Sequence, residues 1–422
     1  MRTCVLTVLV ASLLRPCLAD GSTTPYVNAV YYGNWCAPLF GFEDVANNVS
    51  RASLTSERNF PPYKVPVASI THLFYAFAEP HADGTVTGSN QTLDTDTILD
   101  GEVGDGASNS FHGCVKQLRA MKQQNRHLKV MLSIGGWVFS QQGHFATLAS
   151  NKTSRDKFVQ SAIGLMIQWG FDGLDVVWES PRDATEGQNY LELLRETRAG
   201  LDKESSNRRH QFLLTIASSA INSTAALLPL GEMAEVLDFF NVKAYDFAFA
   251  TMTETLVSGH QANLFPNTRD PLTTPFSIVT SITGYTQAGV PSSKIVLGMP
   301  IFGRSYNQTD GMGKTFTSPW EGSWPGDLGV WDYKALPKPG ALETYDNLTV
   351  AVYSYNASTK ELITYDNVAS VKRKIEFAIQ KRLRGAMFWE ASADGLGEKS
   401  LVQTSAKAFG DDKLDKSDNW QP

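Results

Sequence analysis

Carboxyl groups recur at short intervals along one apolar segment, Phe171-Asp172-Gly173-Leu174-Asp175-Val176-Val177-Trp178-Glu179. If this segment is an extended strand, alternate residues face opposite sides, so Asp175, Val177 and Glu179 point the same way. A charged group at the end of an apolar strand is unfavourable unless it is paired or takes part in chemistry. The pattern therefore predicts a buried strand that carries either catalytic groups at its carboxyl end or a structural pair of carboxylates.

Near-continuous apolar runs of the same kind recur along the chain and alternate with helical patterns. The eight runs are Val27–Tyr32, Ile70–Ala78, Leu128–Ile134, Gly173–Glu179, Phe212–Ala217, Phe239–Tyr245, Ile295–Ile301 and Gly385–Trp389. The helical patterns include Gly113–Asn125, Ser154–Gln168, Asn189–Glu204 and Val368–Lys381. Strands that are buried on both faces are typical of parallel sheets. Eight of them close a (β/α)8 TIM barrel, so we predict an α/β fold of this architecture, with functional side chains at the carboxyl ends of the strands.

One region interrupts this alternation, between the seventh and eighth runs. Residues 303–366 are rich in Gly, Trp, Tyr and Thr, and they contain two strand-like segments, Val350–Tyr355 and Glu361–Tyr365, around a polar turn. We predict a small α+β insertion domain here. The barrel itself is then expected to occupy residues 20–302 and to be completed by residues 367–410.

Both ends of the chain differ in composition from the rest. Residues 1–19 combine Arg2, the apolar run 4–14 and small residues at the end, which is typical of a cleaved signal peptide. An uncleaved membrane anchor is the alternative, although the apolar run is short for a bilayer. The signal predicts a secreted, extracellular protein. Residues 411–422 are acidic and polar, and we expect a frayed tail there.

The rest of the sequence suits an oxidising compartment. Removal of the signal leaves two cysteines, Cys36 and Cys114, which could form a disulfide only if their Cα atoms lie close together. Seven Asn-x-Ser/Thr sequons follow the signal, at Asn48, Asn90, Asn151, Asn222, Asn307, Asn347 and Asn356. Each sequon alone is a weak signal, but together they suit a glycoprotein.

The composition excludes several classes of protein. The chain has 422 residues, of which 42% are hydrophobic, and a formal net charge of -6. A chain of this length and hydrophobic content builds a core, which excludes a disordered protein. The acidic balance argues against a nucleic-acid partner, and the internal apolar runs are too short to predict a membrane span. The histidines have no ligand spacing, so we expect no metal and no cofactor.

Short motifs follow one another in the order of the predicted strands. They are Tyr31-Tyr32-Gly33-Asn34-Trp35, Thr71-His72-Leu73-Phe74-Tyr75-Ala76-Phe77-Ala78, Ser133-Ile134-Gly135-Gly136-Trp137, Ala244-Tyr245-Asp246, Gly298-Met299-Pro300, Gly303-Arg304 and Met387-Phe388-Trp389. Together with the acidic segment, these motifs resemble the chitinases of glycoside hydrolase family 18, of the secreted fungal endochitinase type. The resemblance runs from about Ala29 to Leu401, and it implies a TIM barrel whose partners are chitin or N-acetylglucosamine oligomers.

The resemblance also implies a mechanism, in which the N-acetyl carbonyl oxygen of the substrate is the nucleophile. Glu179 matches the acid that protonates the glycosidic oxygen, Asp175 an aspartate deeper in the barrel, and Tyr245 the tyrosine that orients the acetamido group. Asp172 matches the first aspartate of the family pattern Asp-x-x-Asp-x-Asp-x-Glu, and we group it with the catalytic residues.

The same resemblance predicts a groove that binds sugar rings. Its residues are Tyr31, Trp35, Phe77, Ser133, Gly136, Trp137, Lys243, Asp246, Arg304 and Trp389. Aromatic side chains bind the apolar faces of pyranose rings through a large buried area. A single tryptophan is more often part of the core, but Trp35, Trp137 and Trp389 all match positions where the family stacks sugars, which favours a groove.

The sequence departs from the family at four positions in the region of this site. Ser180 and Phe302 each replace a tyrosine, and either change alone means little. Val177 replaces the middle aspartate, which in the family accepts the acetamido N–H and stabilises developing positive charge. Lys243 replaces a methionine, and an ammonium group in the barrel mouth needs a partner, for which Asp175 and Glu179 are candidates. Pairing would favour the ionised form of Glu179, which cannot act as an acid. Alternatively, Lys243 turns outward to solvent.

Three functions follow from these observations. The favoured one is a monomeric binder of chitin oligosaccharides in which hydrolysis is abolished or strongly reduced, and which could sequester chitin fragments. The second is an active or slow endochitinase that uses Glu179 as its acid. The third, a barrel adapted to bind another protein, is disfavoured by the three groove tryptophans.

Overall fold

The computed structural model describes residues 24–37, 58–99, 111–179, 181–252 and 256–419. The predicted signal peptide lies outside the described residues. The strands are β1 (Val27–Gly33), β2 (His72–Pro80), β3 (Val86–Gly88), β4 (Lys129–Gly135), β5 (Gly173–Val177), β6 (Leu213–Ser219), β7 (Phe239–Lys243), β8 (Ile295–Pro300), β9 (Phe302–Tyr306), β10 (Val330–Asp332), β11 (Leu342–Asp346), β12 (Ala351–Asn356), β13 (Glu361–Tyr365) and β14 (Gly385–Trp389). The α-helices are α1 (Gly113–Gln124), α2 (Gly136–Gln141), α3 (His144–Ser150), α4 (Lys152–Trp169), α5 (Ala184–Arg208), α6 (Asn222–Ala225), α7 (Leu230–Val236), α8 (Ile278–Gln287), α9 (Val368–Gln380) and α10 (Leu401–Phe409).

Eight parallel strands close into a barrel, as the sequence predicts. Their order is β1-β14-β8-β7-β6-β5-β4-β2, and β1 pairs with β2 to complete the ring. The short strand β3 is added antiparallel to β2. In the part of the chain that the structure describes, α-helices follow every barrel strand except β1 and cover the outside. The predicted (β/α)8 TIM barrel is therefore confirmed.

Two apolar layers hold the barrel together, because alternate strand residues point inward and outward. The larger layer lies between the strands and the surrounding helices. The smaller layer fills the interior of the barrel, and its buried members are Val27, Ala29, Tyr31, Phe74, Ala76, Met131, Val177, Ala217, Phe239, Val296 and Met387. Val177 thus belongs to the inner layer, close to the mouth.

Local sequence signals set the bounds of the helix that leads into β5. The side chain of Asn151 caps the start of α4 by accepting hydrogen bonds from the backbone N–H groups of Thr153, at 2.8 Å, and Ser154, at 3.2 Å. The helix ends at Gly170, whose φ of 71° is a left-handed conformation that glycine adopts without strain. The Asn151 cap and the glycine at the end of α4 together determine where β5 begins.

The predicted carboxyl ends of two strands that carry site residues lie two residues too far along the chain. β5 ends at Val177 instead of Glu179, and β7 ends at Lys243 instead of Tyr245. The last pairs in these ladders are Gly135 with Val177 and Ser219 with Lys243. Beyond them the neighbouring chain leaves the sheet, so the next residues have no backbone partner. Glu179 and Tyr245 consequently lie on the loops above the strands.

A second sheet rises from the end of β8. It contains five antiparallel strands in the order β10-β9-β13-β12-β11. The sequence predicts only β12 and β13 of these. β9, β10 and β11 are short or rich in polar residues, so they lack the apolar alternation by which a strand is recognised. The predicted α+β insertion is present between the seventh and eighth barrel strands, with more strands than expected.

Residues of the polar tail contact the barrel, where the sequence predicts a frayed end. Leu414 is buried and forms a β-bridge with Tyr26. Asp415 accepts hydrogen bonds from Lys129 and Arg384, both at 3.2 Å. The sequence is polar here because its charged groups are paired beneath the barrel, so polarity was a poor guide to order.

Both cysteines of the described residues, Cys36 and Cys114, are buried, and no disulfide joins them. The thiol of Cys36 lies 3.4 Å from a carboxylate oxygen of Glu390 and 3.5 Å from the hydroxyl of Ser392. Burial, followed by the charge of Glu390, raises the pKa of this thiol well above its ordinary value. Cys36 therefore serves as a buried packing group beside Trp35.

Candidate functional site at the mouth of the barrel

Glu179 lies on the loop directly after β5, and a serine of helix α2 holds this loop in place. The Glu179 N–H donates to the Ser140 hydroxyl at 2.9 Å, and that hydroxyl donates to the Val177 carbonyl at 3.2 Å. The two bonds replace the sheet pairing that ends at Val177. Sequence reasoning missed Ser140, because a hydroxyl on a short helix is too common to be a signal.

Asp175 lies below Glu179, completely buried in the barrel. Its carboxylate accepts hydrogen bonds from the hydroxyls of Tyr31 at 2.7 Å, Ser133 at 2.8 Å and Thr215 at 2.7 Å. Burial raises the pKa of Asp175, although these donors oppose the rise. The structure therefore brings the predicted Tyr31, Ser133 and Asp175 together, and it adds Thr215, which the sequence did not indicate.

Asp172 does not join this group, which corrects its placement among the catalytic residues. It precedes β5 and lies at the opposite end of the barrel, since three strand residues span about 10 Å. There it accepts hydrogen bonds from the Lys122 ammonium and the Val130 N–H, both at 2.7 Å. Burial raises the pKa of Asp172, while the charge of Lys122 opposes the rise. Its contacts are those of a structural ion pair.

Val177 lies between Asp175 and the mouth, with 1% of its surface exposed. It belongs to the inner apolar layer, against which Trp35, Phe77 and Trp389 pack. A valine in this position offers an acetamido group neither a hydrogen-bond acceptor nor a charge. The part of the floor where the family pattern has an aspartate is thus apolar in this chain.

Lys243, at the end of β7, points into the mouth and forms an ion pair with Glu179. The two side chains are exposed to the same small extent, 18% for Lys243 and 17% for Glu179. Of the arrangements predicted for Lys243, the structure has the inward one, with Glu179 as the partner.

Tyr245 and a second ion pair form one side of the mouth. Burial, followed by the charge of Glu179, raises the pKa of the Tyr245 phenol well above its ordinary value, so the phenol remains a hydrogen-bond donor. Asp246 accepts two hydrogen bonds from the Arg304 guanidinium, both at 2.7 Å. The guanidinium also lies 4.8 Å from the ring centre of Phe249. This bidentate, stacked arrangement fixes both charged groups at the edge of the groove.

Four aromatic rings form the floor of the mouth. The Trp389 ring stacks on Phe77 with ring centres 5.8 Å apart, and it lies 5.3 Å from Tyr31 and 6.2 Å from Trp35. Gly136 has a φ of 81°, and a Cβ at this position would lie 2.6 Å from the Phe77 ring. Glycine is therefore required here both by its backbone conformation and by the close approach of the ring.

Trp137, at the start of α2, stands apart from this floor and is 61% exposed. A large exposed aromatic ring at the mouth of a barrel suits ligand stacking better than core packing. Within the described residues, no three His, Cys, Asp or Glu side chains form a group that could hold a metal ion. In the same part of the chain, no helix is both long and apolar enough to cross a bilayer.

The closed parallel barrel, with carboxyl groups and an aromatic floor at the carboxyl ends of its strands, defines a barrel of the glycoside hydrolase class. The family model described as Glycosyl hydrolases family 18 matches residues 29–394. The chain belongs to this family.

Individual relatives cover nearly the whole chain. Chitinase 1 of Aphanocladium album is 42% identical over 387 residues, which are 91% of this chain and 86% of the relative. Endochitinase 1 of Metarhizium robertsii is 40% identical and covers 91% of this chain and 85% of its own length. Among solved structures, a variant of a family 18 chitinase from Cycas revoluta, in complex with (GlcNAc)4, has a TM-score of 0.73 and 26% identity over 91% of this chain and 100% of that chain.

Proposed function

We propose that the protein is a secreted binder of chitin oligosaccharides that holds its ligand with strongly reduced or absent hydrolysis. The observation that carries this proposal is the floor of the mouth, where an apolar Val177 and a Lys243–Glu179 ion pair lie beside intact aromatic rings. Secretion rests on the signal-like residues 1–19, and the sequestering of chitin fragments is the biological role that we infer.

The first reason for weak hydrolysis is the loss of electrostatic stabilisation. Substrate-assisted cleavage develops positive charge at the sugar, and the family pattern places an aspartate where this chain has Val177. Loss of one preorganised stabilising group costs about 10²–10³ in rate, roughly 3–4 kcal/mol. Asp175 does not substitute for the missing group, because its carboxylate is buried among three hydroxyl donors.

The second reason is the charge of Lys243. Replacing an aspartate by valine removes one negative charge and replacing a methionine by lysine adds one positive charge, so the mouth is more positive by two charges than the family pattern. Like charges at 4 Å repel by roughly 4 kcal/mol near a protein surface. The ammonium therefore opposes a cationic transition state, and its ion pair with Glu179 competes with the approach of that carboxyl group to the glycosidic oxygen.

The reason for retained binding is the aromatic groove. Trp35, Phe77 and Trp389 keep mutual ring contacts at the floor, and Trp137 remains exposed at the rim. Such rings bind pyranose faces with little loss of side-chain entropy. The Cycas revoluta relative was solved with (GlcNAc)4, which supports a chitin oligomer as the ligand class.

The test is a calorimetric titration of the purified protein with N-acetylglucosamine hexamer, followed by mass spectrometry of the mixture after one day. We expect saturable binding and intact hexamer. A Trp389→Ala variant is expected to lose binding, whereas the control Leu396→Ala, at an 88% exposed position, is expected to bind normally. Absence of binding by the unmodified protein would refute the proposal.

An active endochitinase is the second candidate. It is supported by the presence of Glu179 and Tyr245 at the mouth and by the names of the Aphanocladium album and Metarhizium robertsii relatives. The same mixture separates the two functions, because an endochitinase releases dimer and trimer from the hexamer. Appearance of these products at the rate of an ordinary enzyme would favour this second candidate.

A further inference from the structure

We infer that Asn151 and Asn347 carry N-linked oligosaccharides, whereas the equally complete sequon at Asn307 carries none. This inference rests on the secretion that the proposed function includes, because N-linked glycans are added to proteins that enter the secretory pathway. A glycan is a bulky, solvated group, so an asparagine that carries one holds its amide nitrogen at the protein surface. The folded structure therefore separates sequons that the sequence alone leaves equivalent.

Asn347 lies in the turn between β11 and β12, at the edge of the second sheet, and it is exposed. The turn is fixed by Asp346, whose carboxylate accepts hydrogen bonds from the Leu348 N–H at 2.9 Å and from the Thr349 hydroxyl at 2.7 Å. The Asn347 side chain itself makes no hydrogen bond to any residue that the structure describes. Its amide nitrogen is thus free to carry a glycan on a well-defined turn.

Asn151 is also exposed, although its side chain caps helix α4. The cap uses only the carbonyl oxygen, Oδ1, which accepts hydrogen bonds from the backbone N–H groups of Thr153 and Ser154. A glycan is attached to the other atom of the amide, Nδ2, which makes no hydrogen bond within the described part of the chain. Capping and glycosylation therefore use different atoms and are compatible.

Asn307 has the same sequence motif in a very different environment. It follows β9 and is only 8% exposed. Its N–H donates to the Thr317 carbonyl at 3.1 Å, and its own carbonyl accepts from the Thr317 N–H at 2.7 Å, so the residue is held in a β-bridge. Thr309, the third residue of this sequon, is fully buried. An oligosaccharide on Asn307 is incompatible with the burial of both residues.

Three other sequons within the described residues have partly enclosed amides. The Asn222 amide nitrogen donates to the Thr280 carbonyl at 3.5 Å, and Asn90 and Asn356 are half-buried. The sequon at Asn48 lies outside the described residues. We therefore confine the assignment to Asn151 and Asn347.

The modification is a group transfer from an oligosaccharide that is linked through its first N-acetylglucosamine to a lipid pyrophosphate. Nδ2 of the asparagine forms a bond to C1 of that sugar and loses one proton. The bond between C1 and the pyrophosphate oxygen breaks, and its electron pair stays on the departing lipid pyrophosphate. Nothing is oxidised or reduced.

The experiment expresses the full chain in a yeast host, with its own residues 1–19 or with a signal peptide of the host in their place. Peptide-N-glycosidase converts each glycosylated asparagine to aspartate, and mass spectrometry of the peptides identifies the converted positions. We expect conversion at Asn151 and Asn347 and an unchanged Asn307. Peptides are taken both from the medium and from the secretory compartments of the cells, so that retained protein is also analysed.

Three variants then count the glycans by intact mass. Asn347→Gln and Thr153→Ala are each expected to lose one oligosaccharide. Thr153→Ala removes the sequon but keeps the Asn151 cap, because Thr153 contributes only its backbone N–H to that cap. Thr283→Ala, at an exposed helical threonine outside any sequon, is the control and is expected to lose none.

The two signal peptides separate the sites from the secretion on which they rest. If only the form with the host signal enters the secretory pathway, the proposed secretion is refuted, and that form decides the sites. An unmodified Asn151 or Asn347 in protein that has entered the pathway would overturn the inference, and so would a glycan on Asn307.

Discussion

Val177 and Lys243 are two separate departures from the family pattern, and both lie at the mouth of the barrel. Val177 lies in the inner apolar layer, and Lys243, at the end of β7, forms an ion pair with Glu179. The effects of substitutions are strongly non-additive when the substituted groups act together in catalysis. Restoring the family residue at one of these positions therefore does not reveal the effect of restoring both.

We therefore predict that two reversions act together. Val177→Asp alone is expected to raise the rate of hexamer hydrolysis about tenfold, because Lys243 can pair with the introduced carboxylate. Val177→Asp with Lys243→Met is expected to raise it by about 10²–10³, since the stabilising charge is introduced and Glu179 is released from its ion pair with Lys243. The measurement is reducing-end release from the hexamer. Equal rates for the single and double variants would show that Lys243 does not restrain Glu179.

At the scale of elements, the ends of strands decide where the chemistry lies. β4 ends at Gly135, and α2 begins at Gly136; both glycines have positive φ, and the chain turns there. This turn leaves the end of β5 without a neighbour and brings Ser140 to the backbone of Glu179. The Gly-Gly turn thus positions both the aromatic floor and the loop that carries Glu179.

Gly136→Ala is predicted to damage the floor. The added Cβ would meet the Phe77 ring at 2.6 Å and would also be strained by a φ of 81°. We expect a loss of about 2–4 kcal/mol in the free energy of unfolding and weaker binding of the hexamer, since Phe77 stacks on Trp389. Chemical denaturation and calorimetry measure the two effects.

Gly143→Ala is the matched control for this change. Gly143 has a φ of 75°, but a Cβ there would have no atom within 4 Å. It is expected to lose only about 1 kcal/mol of stability and to bind the hexamer normally. If both variants bind equally well, the contact between Gly136 and Phe77 does not shape the floor.

At the scale of the whole molecule, the end of the chain closes the barrel opposite the mouth. Asp415 joins Lys129, the first residue of β4, to Arg384, the residue before β14. Burial opposes the ionisation of Asp415, but Ser417 and the charge of Lys129 outweigh it and lower its pKa to about 2. Asp415 therefore links the third and the eighth strands of the barrel through a shielded carboxylate.

We predict that Asp415→Asn lowers the free energy of unfolding by about 1–3 kcal/mol at pH 7. The native state binds fewer protons at Asp415 than the unfolded state, whose aspartates titrate near pH 4, so this contribution is present above pH 4 and is lost as the pH falls towards 2. Denaturation curves at pH 7 and pH 2.5 measure the difference in the free energy of unfolding between the unmodified protein and the variant. We expect this difference to be smaller at pH 2.5.

Asp418→Asn serves as the control, because Asp418 and Arg126 form an ion pair in which both side chains are more than half exposed. We expect little change in stability at either pH from this variant. A loss equal to that of Asp415→Asn would mean that the charge of the tail matters more than the shielded contact.

Much of the architecture was predictable from the sequence. Eight apolar runs separated by helical patterns predict a parallel barrel, because strands buried on both faces have no polar alternation. The spacing of Asp175, Val177 and Glu179 likewise predicts side chains on one side of one strand. These features depend on the local periodicity of apolar and polar residues, which can be recognised directly in the sequence.

Other features were decided by tertiary contacts. Asp172 and Asp175 lie three residues apart in the same acidic motif, yet one pairs with Lys122 at the amino end of the barrel and the other lies beneath the mouth. Strands β9 to β11 form because they pair with β12 and β13, and the polar tail is ordered by Lys129 and Arg384.

The sequence by itself determined the barrel, the order of its motifs and the replacement of the middle aspartate by Val177. Only the tertiary structure decided that Lys243 faces inward onto Glu179, that Ser140 and Thr215 support the site, and where each strand ends. The physical reason is the same in each case. Periodicity along the chain records which face of a strand is buried, whereas the direction of a long side chain and the length of a strand depend on partners that lie far away in sequence.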